Sequence, residues 1–189
     1  MSSNPTFNQR MHQWLLRARI PASALMVVAI AVFSHPRLES WLIGFAVIIL
    51  GELLRIWASG HIHKMAEVTR TGPYALCRHP LYLGHFLIAI GFCIAGDSIE
   101  ALIIVSLSFL LIYMPTWKNE EKNLIEKFGD TYNEFMQTTP ALLPRWSSQA
   151  LSGNFSWDMV KKHREWNHVA GLLAASLGMI ALGYWHGSW

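Results

Sequence analysis

Long apolar segments recur along almost the whole of this sequence. Five of them are candidates for membrane-crossing helices: Ile20 to Ser34, Leu38 to Ser59, Leu81 to Ala95, Ile99 to Tyr113 and Trp166 to Trp185. The hydrocarbon core of a bilayer is about 30 Å thick and takes roughly 20 apolar residues for each helical crossing. Inside it, every backbone polar group must be satisfied within a helix or a closed barrel. We therefore predict an all-α polytopic membrane protein with about five transmembrane helices.

The composition supports a membrane protein and argues against a nucleic-acid partner. The chain is 52% hydrophobic and only 14% charged, whereas soluble proteins carry about 25% charged residues. Its nine tryptophans fit the membrane interface, where Trp is enriched. The basic residues lie next to apolar segments, so anionic lipid headgroups are the expected electrostatic partner. We interpret residues 1–189 as one integral membrane domain, and its two cysteines indicate no metal site.

The basic residues also predict an orientation. If the N-terminus is cytoplasmic, the cytoplasmic segments are roughly 1–19, 60–79 and 116–165, and they hold 13 of the 15 Lys and Arg residues. Positive residues favour the cytoplasmic side of membrane proteins. We therefore expect a cytoplasmic N-terminus, an external C-terminus and a polar, cytoplasmic face that carries the chemistry.

Residues 117–137 have the pattern of an amphipathic helix on that face. Leu124, Phe128, Tyr132 and Phe135 follow one another at spacings of four, four and three, which places them on one side of a helix. Charged residues fall on the other sides. We predict a cytoplasmic surface helix here.

The last apolar segment carries a stripe of small residues. Ala170, Ala174 and Gly178 recur every four positions, and small residues at this spacing allow two helices to approach closely. The contact is either within the chain or with a second copy in a homodimer.

The densest polar cluster lies before the third apolar segment. Arg78 and His79 precede Pro80, a residue suited to the first turn of a helix, and Tyr82 follows. Free N–H groups and the positive end of the helix dipole make this a natural place for a carboxylate or phosphate. The alternative is structural: Arg78 reaches lipid phosphate and His79 caps the helix.

Glu120 and Glu121 form a second cluster, after the fourth apolar segment. They are either complements to a helix dipole or a site that accepts hydrogen bonds or binds a cation. The third and fourth segments form a tight hairpin, so both clusters return to the same membrane face.

A third group of polar residues lies within or beside the second apolar segment. Glu52 and Arg55 are three residues apart on one helical face, and charges in a span pair with each other or line a polar pocket. We weigh these two interpretations equally. His61 and His63 are a weak metal signal without a third ligand, and we expect them to be ordinary polar loop residues.

Two ordered motif blocks flank the predicted hairpin. The first reads Gly72-Pro73-Tyr74-x-x-x-Arg78-His79-Pro80-x-Tyr82-x-Gly84. The second reads Glu120-Glu121-x-x-Leu124 and then Phe128-Gly129-Asp130-x-Tyr132-x-x-Phe135, with Pro144 closing it. Together they resemble the signature of the isoprenylcysteine carboxyl methyltransferase and phospholipid methyltransferase superfamily. The similarity defines a catalytic core over about residues 50–145.

The resemblance implies an integral membrane methyltransferase that uses S-adenosylmethionine and receives a lipid-like or prenylated substrate from the bilayer. By position, it implies that His79, Tyr82, Glu120 and Glu121 contact the cofactor. Further contacts are implied for His61, Gly72 and Tyr74, and Arg78 is implied to help hold the catalytic site.

One position departs from the pattern of members that act on isoprenylcysteine. These commonly have an Arg four residues before the first Glu of the pair, where this chain has Thr116. Either Lys118 or Arg55 orients a substrate carboxylate instead, or the chain methylates a different group. From the resemblance, an isoprenylcysteine-type carboxylate is the first expectation for the methyl acceptor. The alternative acceptor is a phospholipid amine.

Two other functional classes are alternatives. Glu52, Arg55 and the small-residue last segment suggest a non-catalytic membrane scaffold or small transporter. A reductase of the sterol-reductase type would bind a nicotinamide cofactor. The sequence has no G-x-G-x-x-G after a strand and no complete P-loop motif, so any nucleotide-like cofactor would bind by an unusual route.

Overall fold

The computed structural model describes residue 21, residues 23–62 and residues 66–187. This part of the chain is helical and contains no strand, so the predicted all-α class is confirmed. Its helices are α1 (Ser23–Phe33), α2 (Leu38–His61), α3 (Pro80–Ala95), α4 (Ile99–Phe128), α5 (Asp130–Thr138), α6 (Trp157–Lys162) and α7 (Glu165–Trp185). The 3₁₀ turns are Gly72–Ala75 and Ser148–Leu151. The predicted start of the first segment, Ile20, lies outside the described residues.

Three helices, α2, α4 and α7, are long and apolar enough to cross a membrane. The apolar helices α1 and α3 are shorter. Large apolar side chains on the outside of these helices are exposed, for example Ile43 at 61% and Leu111 at 71%, as expected where lipid rather than water surrounds the protein. The chain is a polytopic membrane protein, while five crossings and a cytoplasmic N-terminus stay predictions.

Close contact between α2 and α3 depends on glycine. A Cβ atom at Gly44 would collide with the backbone of Gly91 and Ala95. Further along the same contact, a Cβ atom at Gly51 would lie 2.8 Å from the Gly84 carbonyl oxygen. Glycine allows two helix backbones to approach in this way. This contact places the polar residues of α2 beside the start of α3.

The fourth helix differs from the prediction, which ended it at Tyr113 and began a separate surface helix at residue 117. Instead, α4 is continuous through Phe128 and contains a π-helical turn at Phe109–Tyr113. This turn directly precedes Pro115, whose ring and missing N–H disrupt regular α-helical geometry. The helix therefore carries Glu120 and Glu121 on a direct extension of a membrane-spanning segment.

The predicted surface helix is accordingly divided in two. Gly129, with a φ of 56°, separates the end of α4 from α5. The predicted apolar face is nevertheless confirmed, because Tyr132 and Phe135 are buried and Leu124 and Phe128 are half-buried. This face packs towards the polar loop before α3.

The last helix packs against α2 with the side opposite to its small residues. Ser176, Met179 and Gly183 are buried, whereas Ala170, Ala174 and Gly178 are exposed. The small-residue stripe therefore makes no close helix contact within the described part of the chain. Its use in a homodimer stays a prediction.

Candidate active site

A cavity of about 390 Å³ lies where the loop before α3, the end of α4, and α5 meet the start of α7. Six of the residues predicted to serve catalysis or cofactor binding line it: Arg55, Tyr74, Arg78, His79, Tyr82 and Glu120. Glu121 lies behind the wall, in contact with two of these residues. The hairpin of α3 and α4 thus brings the two motif blocks together as expected.

The backbone before α3 is held by the chain that follows α5. The Arg78 N–H donates to the Pro140 carbonyl at 2.9 Å, and the His79 N–H donates to the Ala141 carbonyl at 3.0 Å. Pro80 then begins α3 without needing a partner for an N–H group. The loop therefore presents Arg78 and His79 in a fixed backbone geometry.

One carboxylate oxygen of Glu121 contacts the side chains of both Arg78 and His79. Oε1 of Glu121 accepts from Arg78 Nε at 2.8 Å and from His79 Nε2 at 2.9 Å, and it also forms an ion pair with Arg78 Nη2 at 2.7 Å. Arg78 also donates to the carbonyl of Thr139 at 2.5 Å. Glu121 and His79 are 7% and 6% exposed, so this is a buried, charge-assisted cluster. Arg78 therefore does not reach towards lipid phosphate here.

Glu120 has a different environment from its neighbour. It is exposed, lines the cavity, and accepts a hydrogen bond from the Tyr82 hydroxyl at 3.3 Å. Trp117 packs beside the same wall, with its ring 6.0 Å from Tyr82 and 5.9 Å from His79. The wall therefore combines aromatic faces with a carboxylate that is open to a ligand.

Tyr74 contributes a hydrogen-bond donor to the cavity. Its side chain is 6% exposed, and its buried hydroxyl has no hydrogen-bond partner among the residues that the structure describes. Burial, and then the nearby Glu120 carboxylate, raise the pKa of this hydroxyl well above its usual range. It therefore keeps its proton, and a ligand acceptor would satisfy it.

His61 and Gly72 meet each other outside the cavity lining. The His61 Nδ1 atom lies 3.0 Å from the Trp57 carbonyl oxygen. Gly72 has a φ of +60°, and a Cβ atom there would lie 2.5 Å from the His61 ring. The first glycine of the motif thus allows a turn with positive φ close to the buried His61 ring. His63 lies outside the described residues.

Glu52 and Arg55 belong to a network that joins three helices. Arg55 Nη2 donates to Glu165 Oε2 at 2.7 Å, and Nη1 lies 2.9 Å from His85 Nε2. Arg55 Nε lies 3.5 Å from Glu52 Oε2, which is 2.9 Å from His168 Nδ1. Both interpretations of the Glu52–Arg55 pair are therefore correct, because the pair also forms part of the cavity wall through Arg55.

Lys118, the other residue predicted to orient a substrate carboxylate, lies away from the cavity. Lys118 is exposed and does not line the cavity. Thr116, at the position of the expected arginine, is buried and donates its hydroxyl hydrogen to the Ile112 carbonyl at 2.6 Å. Of the two proposed replacements for the arginine, only Arg55 faces the cavity.

Sequence reasoning missed three members of the network: His85, Glu165 and His168. The sequence did carry a signal for two of them. Glu165 and His168 are three residues apart at the start of an apolar helix, and Glu52 and Arg55 have the same spacing within another apolar helix.

The structure explains why residue 84 is a glycine, because a Cβ atom there would lie 2.5 Å from Arg55 Cγ. The last glycine of the first motif block makes room for Arg55.

Comparison with known proteins identifies the family. Residues 37–131, about half of the chain, match the family model for phospholipid methyltransferases. The chain belongs to this family. The match runs from α2 to the start of α5, so it includes both clusters at the cavity but not Glu165 or His168.

Curated relatives carry two kinds of name. A nickel-cobalt-cadmium resistance protein of Alcaligenes xylosoxydans xylosoxydans is 32% identical over 56% of this chain and 50% of its own length. A cobalt-zinc-cadmium resistance protein of Cupriavidus metallidurans is 30% identical over 64% of this chain and 60% of its own length. A protein-S-isoprenylcysteine O-methyltransferase of Schizosaccharomyces pombe is 30% identical over 39% of this chain and 31% of its own length.

The chain spans about half the length of the curated relatives it matches, between 31% and 60% for these three. No solved structure matches it. The comparisons therefore show membership of the phospholipid methyltransferase family.

Proposed function

We propose that this protein transfers the methyl group of S-adenosylmethionine to an amphiphile that enters the cavity from the bilayer. The observation that carries the proposal is the cavity between the two motif blocks, in which Tyr82 and Glu120 line the wall and Glu121 holds Arg78 and His79 behind it. The family supplies the reaction type. The basic residues beside the cavity are the reason for placing it on the cytoplasmic side.

The residues present fit the cofactor. S-adenosylmethionine supplies a methyl group on a sulfonium cation, and it also carries ribose hydroxyls, an ammonium group and a carboxylate. Glu120 offers free acceptor capacity for the hydroxyls or the ammonium group. The Tyr74 hydroxyl offers a donor that needs an acceptor. The aromatic ring of Tyr82, which lines the cavity, suits an adenine ring or a cation.

The charge of the cavity favours a cationic ligand. Glu67, Glu120 and Glu165 line it, against the guanidinium groups of Arg55 and Arg78. Both guanidinium groups already bind buried carboxylates. The surplus of carboxylates at the wall therefore stabilises positive charge, and low local dielectric strengthens the effect.

Positioning dominates the catalytic role that we propose for the protein. Methyl transfer is an in-line displacement, so the main task is to hold the acceptor on the axis of the breaking bond. Glu121 fixes Arg78 and His79, and the backbone bonds to Pro140 and Ala141 fix the loop that carries them. These residues act by holding the cavity wall in one geometry.

The acceptor is a lipid-like or prenylated amphiphile of one of two classes. An isoprenylcysteine-type carboxylate is supported by the motif resemblance and by the relatives of that name. A phospholipid amine is supported by the family description. The amine is also favoured by the geometry at the cavity, where Arg55 and Arg78 are both engaged by carboxylates.

Calorimetry with detergent-solubilised full-length protein tests cofactor use. We expect saturable binding of S-adenosylmethionine and of its demethylated product, and we expect Glu120→Gln to weaken it about tenfold, or 1.4 kcal/mol. Glu126→Gln is the matched control, because Glu126 is exposed on the same helix and does not line the cavity. Absence of binding at millimolar ligand to folded protein would refute the proposal.

Thermal unfolding with alternative ligands separates the other functional classes. Stabilisation by NADPH in place of S-adenosylmethionine would indicate a reductase. Unchanged melting with both would indicate a scaffold or transporter. Lipid mass spectrometry of cells with and without the gene then distinguishes the acceptors, since methylated aminophospholipids indicate the amine and a methylated prenylated thioether acid indicates the carboxylate.

A further inference from the structure

Three side chains with metal-ligating atoms meet at the wall of the cavity. Glu52 from α2 and Glu165 and His168 from α7 place one donor atom each within 4.8 Å of one another. Glu52 is 8% exposed and Glu165 is 6% exposed. In the part of the chain that the structure describes, this is the group with the composition and spacing of a metal site.

Carboxylates outnumber guanidinium groups in this cluster. Glu52 and Glu165 are two carboxylates, and Arg55 is the guanidinium group that contacts both. The His168 Nδ1 atom lies 2.9 Å from Glu52 Oε2, and the His85 ring contacts Arg55. Buried charges between apolar helices are retained where they are paired or bind an ion.

Glu52 has a carboxylate oxygen to spare for an ion. Arg55 contacts the Oε2 atoms of Glu52 and Glu165. The Oε1 atom of Glu52 is fully buried and has no hydrogen-bond partner among the described residues. A buried carboxylate oxygen without a partner is costly, and a cation next to it would remove that cost.

We propose that Glu52, Glu165 and His168 bind a divalent transition-metal cation of the Zn²⁺ or Co²⁺ class. Two carboxylates and one imidazole are ligands that these ions accept in proteins. In a tetrahedral site, donor atoms lie roughly 3.3 Å apart, so modest side-chain rotations close the observed spacing. The fourth coordination position of the ion would face the cavity, because Glu165 lines the cavity.

Arg55 would remain in the site as an outer partner. Its Nη2 donates to Glu165 Oε2 at 2.7 Å, and its Nε lies 3.5 Å from Glu52 Oε2, so it orients the Glu165 carboxylate as an outer hydrogen bond orients a metal ligand. An ion bound by Glu52 and Glu165 would then tie the start of α7 to α2. The site adjoins the proposed cofactor cavity through Glu165, but metal binding can be measured without cofactor, so its test does not depend on the proposed methyl transfer.

Cobalt titration of the metal-free, full-length protein in detergent tests the proposal. We expect one equivalent of Co²⁺ to bind with the visible absorption of a low-symmetry, four- or five-coordinate ion, and Zn²⁺ to displace it. Glu52→Gln and His168→Gln should each weaken binding about tenfold or more. The controls Glu126→Gln and His186→Gln change exposed residues of the same types and should leave binding unchanged.

A second measurement covers variants that fold poorly. Zn²⁺ should raise the unfolding temperature of the wild-type protein and of both controls, since a ligand that binds only the folded state stabilises it. It should not raise that of Glu52→Gln or His168→Gln. The proposal is overturned if wild type binds no Co²⁺ at submillimolar concentration, or if the spectrum and stoichiometry survive both substitutions, which would mean adventitious binding to other histidines.

Discussion

Glu120 and Glu121 are consecutive residues with opposite environments: Glu120 is exposed at the cavity, and Glu121 is 7% exposed beneath Arg78 and His79. Successive residues of a helix point about 100° apart. The pair therefore serves two purposes at once, with one carboxylate available to a ligand and the other committed to holding the wall.

Substitution of these two residues should separate stability from binding. Glu121→Ala removes the common partner of Arg78 and His79, and we expect it to cost about 3 kcal/mol of unfolding free energy, at the low end for breaking a buried ion pair. Glu120→Ala should leave stability nearly unchanged and weaken cofactor binding. Denaturant unfolding in detergent, with calorimetry alongside, measures both. Equal losses of stability in the two variants would contradict the assignment.

Tyr74 should make stability sensitive to alkaline pH. Burial raises the pKa of its hydroxyl in the folded state, so above the ordinary tyrosine pKa of about 10 the unfolded chain binds fewer protons than the folded one. The contribution of Tyr74 to the unfolding free energy is then constant at lower pH and falls as the pH rises past about 10.

Tyr74→Phe removes this titration, and the fall in its unfolding free energy should be less steep than in wild type. Unfolding midpoints measured between about pH 8 and pH 11 test the prediction. Identical slopes for the two proteins would show that the Tyr74 hydroxyl is solvated.

Gly84→Ala should disturb Arg55. The new Cβ atom would lie 2.5 Å from Arg55 Cγ and 2.8 Å from the Gly51 carbonyl oxygen, and overpacking of this kind costs about 1–3 kcal/mol. Gly171→Ala is the control within a helix, since no atom lies within 4 Å of its added Cβ, and it should be neutral or stabilising. Thermal unfolding compares them. Equal melting temperatures would contradict the close contact between α2 and α3.

The Arg55–Glu165 pair should couple α2 to α7. A double-mutant cycle of Arg55→Gln and Glu165→Gln should give an interaction free energy of about 1 kcal/mol or more, as for contacting residues in one network. The 2.7 Å contact between these side chains is the physical reason. Additive effects of the two substitutions would mean that the pair does not hold the helices together.

The sequence predicts the parts of the site that depend on local pattern. The hairpin of α3 and α4 follows from two apolar segments with a polar turn, and it alone requires Arg78 and Glu121 to return to one face. Their 2.7 Å contact is the outcome. The polar loop, the proline at the start of α3 and the apolar face of Tyr132 and Phe135 are likewise visible in the sequence.

Other features depend on packing that no local pattern encodes. Arg55 and Glu165 are 110 residues apart, and their contact requires α7 to lie against α2 with its small residues turned outward. The continuity of α4 through Pro115 depends on a π-helical turn, which has no simple sequence signal. The role of Gly84 emerges only when Arg55 is seen beside it.

Transfer of an isotope-labelled methyl group is the most direct measurement of the central claim. Membranes that contain the protein are incubated with labelled S-adenosylmethionine, and the label in the organic-extractable fraction is compared with that from membranes lacking it. We predict label in an amphiphile that depends on the protein and falls sharply in Glu120→Gln but not in Glu126→Gln. Equal label with and without folded protein, across membranes that supply both aminophospholipids and prenylated thioether acids, would contradict the account.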